Sequence, residues 1–127
     1  MTSDFSLINK TKSKIPLLPF VYLKNKILGK RYSLSVAYIG STKIKELNLR
    51  YRKKNKPTNI LSFALTKSSG ELLLCPAVIK KELKKFDQNL PELMTFLIIH
   101  GMLHLKGYEH GEKMEKAEKK YLSHTKF

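Results

Sequence analysis

Short runs in the first 75 residues alternate hydrophobic with small or polar positions. In YSLSVAYIG, the side chains of Leu34, Val36 and Tyr38 alternate with small residues, which is the period-two pattern of a half-buried strand. The runs FSLI (5–8), NILSFAL (59–65) and ELLLC (71–75) are predicted to be strands as well. The turn signal KSSG between the last two runs predicts that these strands are neighbours.

Helical periodicity is found between these runs and after them. Helices are predicted over residues 15–28, 42–51, 77–86, 91–105 and 112–122. Ser41 is the expected N-cap of the second helix. Its buried stripe is predicted to be Ile44, Leu47 and Tyr51. The fourth helix is hydrophobic on nearly all sides, so it is expected to lie at the centre of the fold.

The fourth helix carries two histidines, and a third follows it in the segment IIHGMLHLKGYEHG. His100 and His104 are four residues apart, so both side chains lie on one helical face. Gly107 can adopt the positive φ that ends a helix, and the chain can then bring His110 back to the same point. One histidine on such a helix is usually a core residue, but the HxxxHxxGxxH spacing indicates a metal site.

The number of histidines bears on the role of the metal. Structural zinc generally has four protein ligands, whereas three ligands leave a position open, so a catalytic ion is expected. We expect one zinc ion, with another divalent metal as the alternative. Cys75 is distant in sequence and is expected to pack as a small apolar residue, and His124 is expected to be solvated.

The histidine spacing is also that of zinc metalloproteases of the HExxHxxGxxH type. In those proteins the residue after the first histidine is a glutamate, which serves as the general base in peptide hydrolysis. Here that residue is Gly101. A metalloprotease is therefore the less favoured enzyme class, and Gly101 is interpreted as a small residue that allows close helix packing.

The charge balance adds a partner to this picture. The 127 residues include 25 Lys and Arg against 10 Asp and Glu, a net charge of +15. Such a surface attracts nucleic acid through its phosphates, although solvated lysines without a function are the alternative. A membrane surface is less favoured, since no amphipathic anchor is evident. One cysteine, no secretory signal and no apolar run of about 18 residues predict a cytoplasmic protein with one domain over residues 1–127.

Two long motifs resemble those of a known family. HGMLHLKGYEH resembles the HGxLHLxGYDH signature of the YbeY family of metal-dependent endoribonucleases, and LNLRYRKKNKPTNILSF resembles its second signature. With GELLLCPAVIKKE, the resemblance covers about residues 33 to 122 in order. Glu71 and Glu109 stand where the family generally has aspartate, and the segment between Phe63 and Gly70 is shorter and lacks a proline.

The resemblance implies an α+β fold, with a small mixed sheet packed against helices and a central metal-binding helix, similar to the zincins. It implies a zinc site formed by His100, His104 and His110, and a functional arginine at Arg52. It also implies a single-strand-preferring endoribonuclease that acts in ribosomal RNA maturation and ribosome quality control. The expected partners are ribosomal RNA and a ribosomal subunit or ribosomal protein, and no DNA.

Arg52 is suited to a catalytic role in RNA cleavage, because its planar guanidinium can hold a phosphate with two hydrogen bonds. Residues expected to contact RNA are Arg50, Lys53, Lys54, Lys56, Asn59 and Ser62. For each lysine, a solvated loop is an equal alternative. Tyr51 and Tyr108 can stack on bases, although core packing is the favoured interpretation of Tyr51. No residue is identified as the general base.

A non-enzymatic alternative shares the same features. A ribosome-assembly factor that binds RNA would also need the positive charge, and its zinc would hold the cleft together rather than cut RNA.

Overall fold

The computed structural model describes residues 4–85 and 87–125. The elements along these residues are β1 (Phe5–Asn9), α1 (Phe20–Ile27), β2 (Ser33–Tyr38), α2 (Ser41–Arg52), β3 (Ile60–Thr66), β4 (Ser69–Leu74), α3 (Pro76–Leu83), α4 (Leu90–Leu105) and α5 (Glu112–Ser123). Each predicted strand and helix is found, although several bounds differ.

The strands described form one mixed sheet in the order β1-β2-β4-β3. β1 pairs with β2, and β2 with β4, in parallel, whereas β3 and β4 pair antiparallel across the predicted turn. The register shifts between Ala64 and Thr66, next to the turn of this hairpin. With helices packed on the sheet, the predicted α+β class is confirmed.

The sheet separates two hydrophobic clusters, because successive side chains of a strand point to opposite faces. Leu72 and Leu74 belong to the larger cluster, together with residues of α1 and α4. Leu73 belongs to the smaller cluster, which Ile44 of α2 covers. Cys75 is fully buried in that smaller cluster, so its predicted role as a small apolar residue is confirmed.

Helix α4 is central, as its sequence predicts. Its N-terminus is a capping box, in which Asn89 and Glu92 each accept a hydrogen bond from the other's backbone N–H. Gly101 faces the sheet: a Cβ atom there would lie 2.8 Å from Ile60 Cδ1 and 2.9 Å from Leu72 Cδ2. Glycine therefore lets the helix approach the strands closely. This confirms the interpretation of Gly101 as a small residue that allows close packing.

Several helix boundaries differ from the predictions. α1 begins at Phe20 rather than at residue 15. Pro16 and Pro19 account for the difference, because proline lacks an N–H and disfavours helical conformation in the residue before it. The predicted cap Ser41 is instead the first residue of α2, and Gly40 occupies the N-cap position. The third helix, α3, ends at Leu83, before its predicted end at Phe86, which lies outside the described residues.

The buried stripe of α2 also differs. Ile44 is buried as predicted, but Tyr51 is 59% exposed and Asn48 is buried instead. The Asn48 amide donates to the carbonyl of Lys56 at 2.8 Å, so this polar side chain satisfies a hydrogen bond while it occupies the inner face. The prediction that Tyr51 packs in the core is wrong.

In the ranges that the structure describes, the helices are all too short or too polar to span a bilayer.

Candidate metal centre and its cleft

The three histidines meet because of how α4 ends. The N–H of Tyr108 donates to the carbonyl of Leu103 at 2.9 Å, and the N–H of Gly107 donates to the carbonyl of His104 at 3.0 Å. This pair of hydrogen bonds is a Schellman motif, which requires a left-handed residue at Gly107. Gly107 has φ +104°, as its position in the sequence predicts. The chain therefore reverses and carries His110 back towards α4.

The resulting cluster is compact. A ligand nitrogen from each of His100, His104 and His110 lies within 4.8 Å of the others. The ring centroids of His104 and His110 are 4.8 Å apart, and those of His100 and His110 are 5.3 Å apart. The side chains of His100 and His104 are half-buried, whereas His110 is exposed. These residues can hold a metal ion.

Hydrogen bonds on the far side of two rings orient them for this purpose. His100 Nδ1 lies 2.7 Å from Glu118 Oε2, and His104 Nδ1 lies 3.1 Å from the carbonyl oxygen of Tyr108. A carbonyl oxygen can only accept, so His104 Nδ1 carries a proton. A carboxylate likewise favours a proton on His100 Nδ1. Both Nε2 atoms of the neutral rings are then left with a lone pair, which is the form that binds metal.

The separation of these two nitrogens fits a bound cation. His100 Nε2 and His104 Nε2 are 3.1 Å apart. Two lone pairs facing each other at this distance repel unless a proton or a metal cation lies between them. Two nitrogen ligands at about 2.0–2.1 Å from a tetrahedral zinc would be roughly 3.3 Å apart, close to the spacing here. The donor set therefore fits a divalent ion such as zinc.

The electrostatics of His104 favour its ligand form. Burial, together with the nearby His100, lowers the pKa of His104 below its ordinary value. The carbonyl of Tyr108 opposes this shift but does not reverse it. A lowered pKa keeps the imidazole neutral at physiological pH, which metal binding requires.

The histidines lie on one wall of a cleft of about 870 Å³. A second wall is formed by residues 58–63, at the start of the edge strand β3, and a third by the first turns of α5. Arg52 and Tyr51, in the last turn of α2, line the same cleft. The structure thus brings the predicted catalytic arginine and the predicted metal ligands to one depression.

The remaining predicted RNA contacts fall into two groups. Arg50, Lys53, Lys54 and Lys56 are all exposed, but they lie outside the described lining of the cleft. Lys53 has φ 57° and ends α2 with a left-handed residue, and the Asn48 hydrogen bond to Lys56 holds the following loop. These exposed basic residues lie within four positions of Arg52 in the sequence, and their contact with RNA stays a prediction.

Asn59 and Ser62 line the cleft, but their donor groups are engaged within the protein. The Asn59 amide donates to Glu82 Oε1 at 2.9 Å, and the Ser62 hydroxyl donates to the carbonyl of Gly101 at 3.2 Å. Ser62 therefore joins β3 to the metal-binding helix. Direct RNA contact by either side chain stays a prediction.

Sequence reasoning missed Glu118 and Glu115, which both line the cleft from α5. Glu118 is 8% exposed. The position of Glu118 in the sequence already indicates that it is buried. It follows Met114 by four residues, so both side chains lie on the buried face of an amphipathic helix. A carboxylate on such a face needs a partner. The distant His100 could not be identified as that partner from sequence alone.

An α+β chain whose central helix supplies two of three clustered histidines, with an arginine in the same cleft, has the features of a metal-dependent hydrolase. Residues 9–126 match the family described as Endoribonuclease YbeY, and the chain belongs to this family.

Individual relatives agree with this assignment. A Buchnera aphidicola protein named Endoribonuclease YbeY is 40% identical over 112 residues, which cover 76% of this chain and 72% of that protein. One from Francisella philomiragia, with the same name, is 31% identical over 131 residues, 91% of this chain and 83% of the relative. A solution structure of a Thermotoga maritima protein matches with a TM-score of 0.63 and 26% identity, covering 94% of this chain and 87% of that one.

Proposed function

We propose that this chain is a zinc-dependent endoribonuclease that cleaves single-stranded regions of ribosomal RNA in the cytoplasm. The main support for the proposal is the cleft, which the three histidines and Arg52 line together. The net charge of +15 adds to this support, because it favours binding of a polyanion. Relatives that cover most of the chain are named endoribonucleases. An RNA phosphate in the cleft would lie between a cation site and a guanidinium.

Phosphodiester cleavage develops negative charge on the non-bridging phosphoryl oxygens, so cationic groups fixed around that position stabilise the transition state. When bound at His100, His104 and His110, a divalent cation supplies a Lewis acid for these oxygens. Arg52 would hold the same phosphate through the parallel N–H groups of its guanidinium, and lysine cannot reproduce this geometry. Imidazole ligands favour zinc over magnesium or calcium, which prefer oxygen.

The exposed basic residues near the end of α2 would bring the RNA strand to Arg52. These residues are Arg50, Lys53, Lys54 and Lys56. Their phosphate contacts would add affinity without sequence preference and would weaken as salt increases. We extend the proposal to a ribosomal subunit or ribosomal protein as the partner and to ribosome quality control as the setting.

Peptide hydrolysis is disfavoured by the packing of Gly101. A metalloprotease of this spacing needs a glutamate at position 101, but even a Cβ atom there would lie 2.8 Å from Ile60 Cδ1. A longer side chain would have to displace the side chains of Ile60 and Leu72, which pack between α4 and the sheet. Position 101 therefore faces the sheet and carries no general base.

Turnover of single-stranded RNA tests the proposal. Zinc-loaded protein is expected to cleave a labelled oligonucleotide, and His104→Ala and Arg52→Ala are each expected to lower kcat/KM by at least about 100-fold, the usual range for loss of a transition-state contact. Arg31→Ala is the control, since Arg31 is exposed and lies outside the described lining of the cleft. Cleavage that survives both cleft variants would indicate a contaminating nuclease. Tight RNA binding without turnover would favour the assembly-factor alternative.

A further inference from the structure

We infer that Tyr51 is a specificity-determining residue of the cleft, on which the base of an unpaired nucleotide stacks while Arg52 holds a neighbouring phosphate. The inference rests on the proposed function, and it names the residue that selects unpaired RNA. Tyr51 and Arg52 are consecutive in the last turn of α2, and both line the cleft that contains the histidines.

Tyr51 is an exposed residue despite its large aromatic side chain. It is 59% exposed, although a stripe of hydrophobic residues on α2 predicts that it would be buried. Asn48 takes the inner position instead, through its hydrogen bond to Lys56. A large aromatic surface is therefore presented beside the proposed phosphate-binding residue.

Phe63 holds this ring in place. The ring centroids of Tyr51 and Phe63 are 5.2 Å apart, and their planes meet at 69°, an edge-to-face contact. Phe63 is half-buried and packs against the smaller hydrophobic cluster, so it is anchored to the sheet. Tyr51 would then lose little conformational freedom when a base stacks on it, which favours binding.

A stacking surface beside a phosphate site distinguishes unpaired from paired nucleotides. A base within a duplex is covered by its neighbours, whereas an unpaired base can turn out and stack on an aromatic side chain. Every base has an aromatic face, so such a contact tolerates any sequence. The chemical class that Tyr51 recognises is thus an unpaired nucleotide of any base type.

The chain offers a matched control for the loss of an exposed tyrosine. Tyr22 on α1 is 44% exposed, and it lines a separate groove formed with β1 and residues 13–19. Tyr22→Ala removes a side chain of the same kind and similar exposure from a surface outside the cleft.

Binding of a fluorescent single-stranded RNA by metal-free protein, in the presence of a chelator, isolates recognition from cleavage. Tyr51→Ala is expected to raise Kd about tenfold, which corresponds to about 1.4 kcal/mol. Tyr51→Phe is expected to stay within about twofold, because the aromatic face is kept. Tyr22→Ala is expected to bind like the unaltered protein. Circular dichroism confirms that each variant is folded.

A series of RNAs, each with one abasic position, identifies the stacked base. At one position, the unaltered protein is expected to lose about tenfold in affinity, and Tyr51→Ala is expected to lose nothing further. The inference would be overturned if Tyr51→Ala and the unaltered protein bound the intact RNA with equal affinity. It would also be overturned if Tyr51→Ala weakened binding by the same factor on every abasic RNA. If the protein cleaves RNA but Tyr51→Ala does not change RNA affinity, only the stacking contact is rejected and the nuclease activity stands. Base-dependent binding without cleavage would reject only the nuclease activity.

Discussion

Glu118 Oε2 lies 2.7 Å from His100 Nδ1, which joins helix α5 to the metal-binding face of helix α4. The carboxylate is almost fully buried and accepts from the ring nitrogen that faces away from the other histidines. It therefore fixes the tautomer of His100 and increases the basicity of the nitrogen that would bind metal. The Tyr108 carbonyl orients His104 in the same way but carries no charge.

Replacement of Glu118 is expected to weaken metal binding more than it weakens folding. Glu118→Ala should raise the Kd for zinc by about 10- to 100-fold, the usual cost of losing a hydrogen-bond partner behind a metal ligand. Glu118→Gln should lose less, because its amide oxygen can still accept from His100. Competition with a chromophoric chelator measures each Kd. Glu112→Ala is the control on the exposed face of α5, and zinc affinity of Glu118→Ala equal to that of the control would contradict this role.

Metal affinity is expected to fall as the pH is lowered from about 7 towards about 5, because protons compete for the imidazole nitrogens. The pKa of His104 is lowered mainly by burial and then by His100. The unfolded chain therefore binds a proton at His104 more readily than the folded chain does. The resulting contribution to folding stability is fully present above the ordinary pKa of about 6.5, and it is lost as the pH falls through the lowered pKa of the folded state. Zinc titrations at several pH values, with urea unfolding of metal-free protein in the same buffers, check both effects. A zinc affinity that stays constant over this range would be inconsistent with histidine ligation.

Substitution of Gly101 tests the close approach of α4 to the sheet. In Gly101→Ala, the new methyl group would press on Ile60 and Leu72, which are both buried and cannot move freely. Overpacking of about 1–3 kcal/mol is expected to exceed the gain in helix propensity of roughly 1 kcal/mol. Thermal and urea unfolding should show a net loss. Gly40→Ala serves as the control, because its Cβ would meet nothing within 4 Å among the described residues, and a larger loss there would refute this account.

Lys24 gives a prediction about stability that is independent of the metal. It is 2% exposed, and its Nζ donates to the carbonyls of Gly29, Lys30 and Tyr32, closing the turn after α1. Lys24→Met would remove this donor from all three carbonyls, of which that of Gly29 keeps a second donor, the Tyr32 N–H at 3.2 Å. The change should cost about 2–3 kcal/mol. Lys26→Met, at an exposed position on the same helix, should change stability by less than about 0.5 kcal/mol. Urea unfolding at 25 °C compares the two, and similar midpoints would show that the turn is held by other contacts.

The clustering of the three histidines and the order of elements could be predicted from the sequence because they depend on local spacing. Histidines four residues apart share a helical face whatever the rest of the fold does, and Gly107 marks the reversal that brings in His110. The alternation around Leu34 and Val36 likewise depends only on the geometry of a strand.

The parts that could not be predicted depend on contacts between distant segments. The hydrophobic stripe of α2 suggested that Tyr51 was buried, but the helix is rotated so that Asn48 can reach the Lys56 carbonyl. Glu118 is assigned a role only by its contact with His100 on another helix. The start of α1 is a different case, since Pro16 and Pro19 are local signals that already favour a later start of the helix.

The three clustered histidines and Glu118 lie within residues 100–118, whereas other parts of the cleft, including Arg52, come from α2 and β3. Closing a short loop costs little chain entropy, so the histidines and Glu118 can come together through local folding of α4, the Gly107 turn and α5. Arg52 reaches them only after the sheet has assembled from strands far apart in the chain, which is intrinsically slower. When the complete chain refolds, the histidine cluster is therefore expected to be ready for a cation before Arg52 completes the cleft.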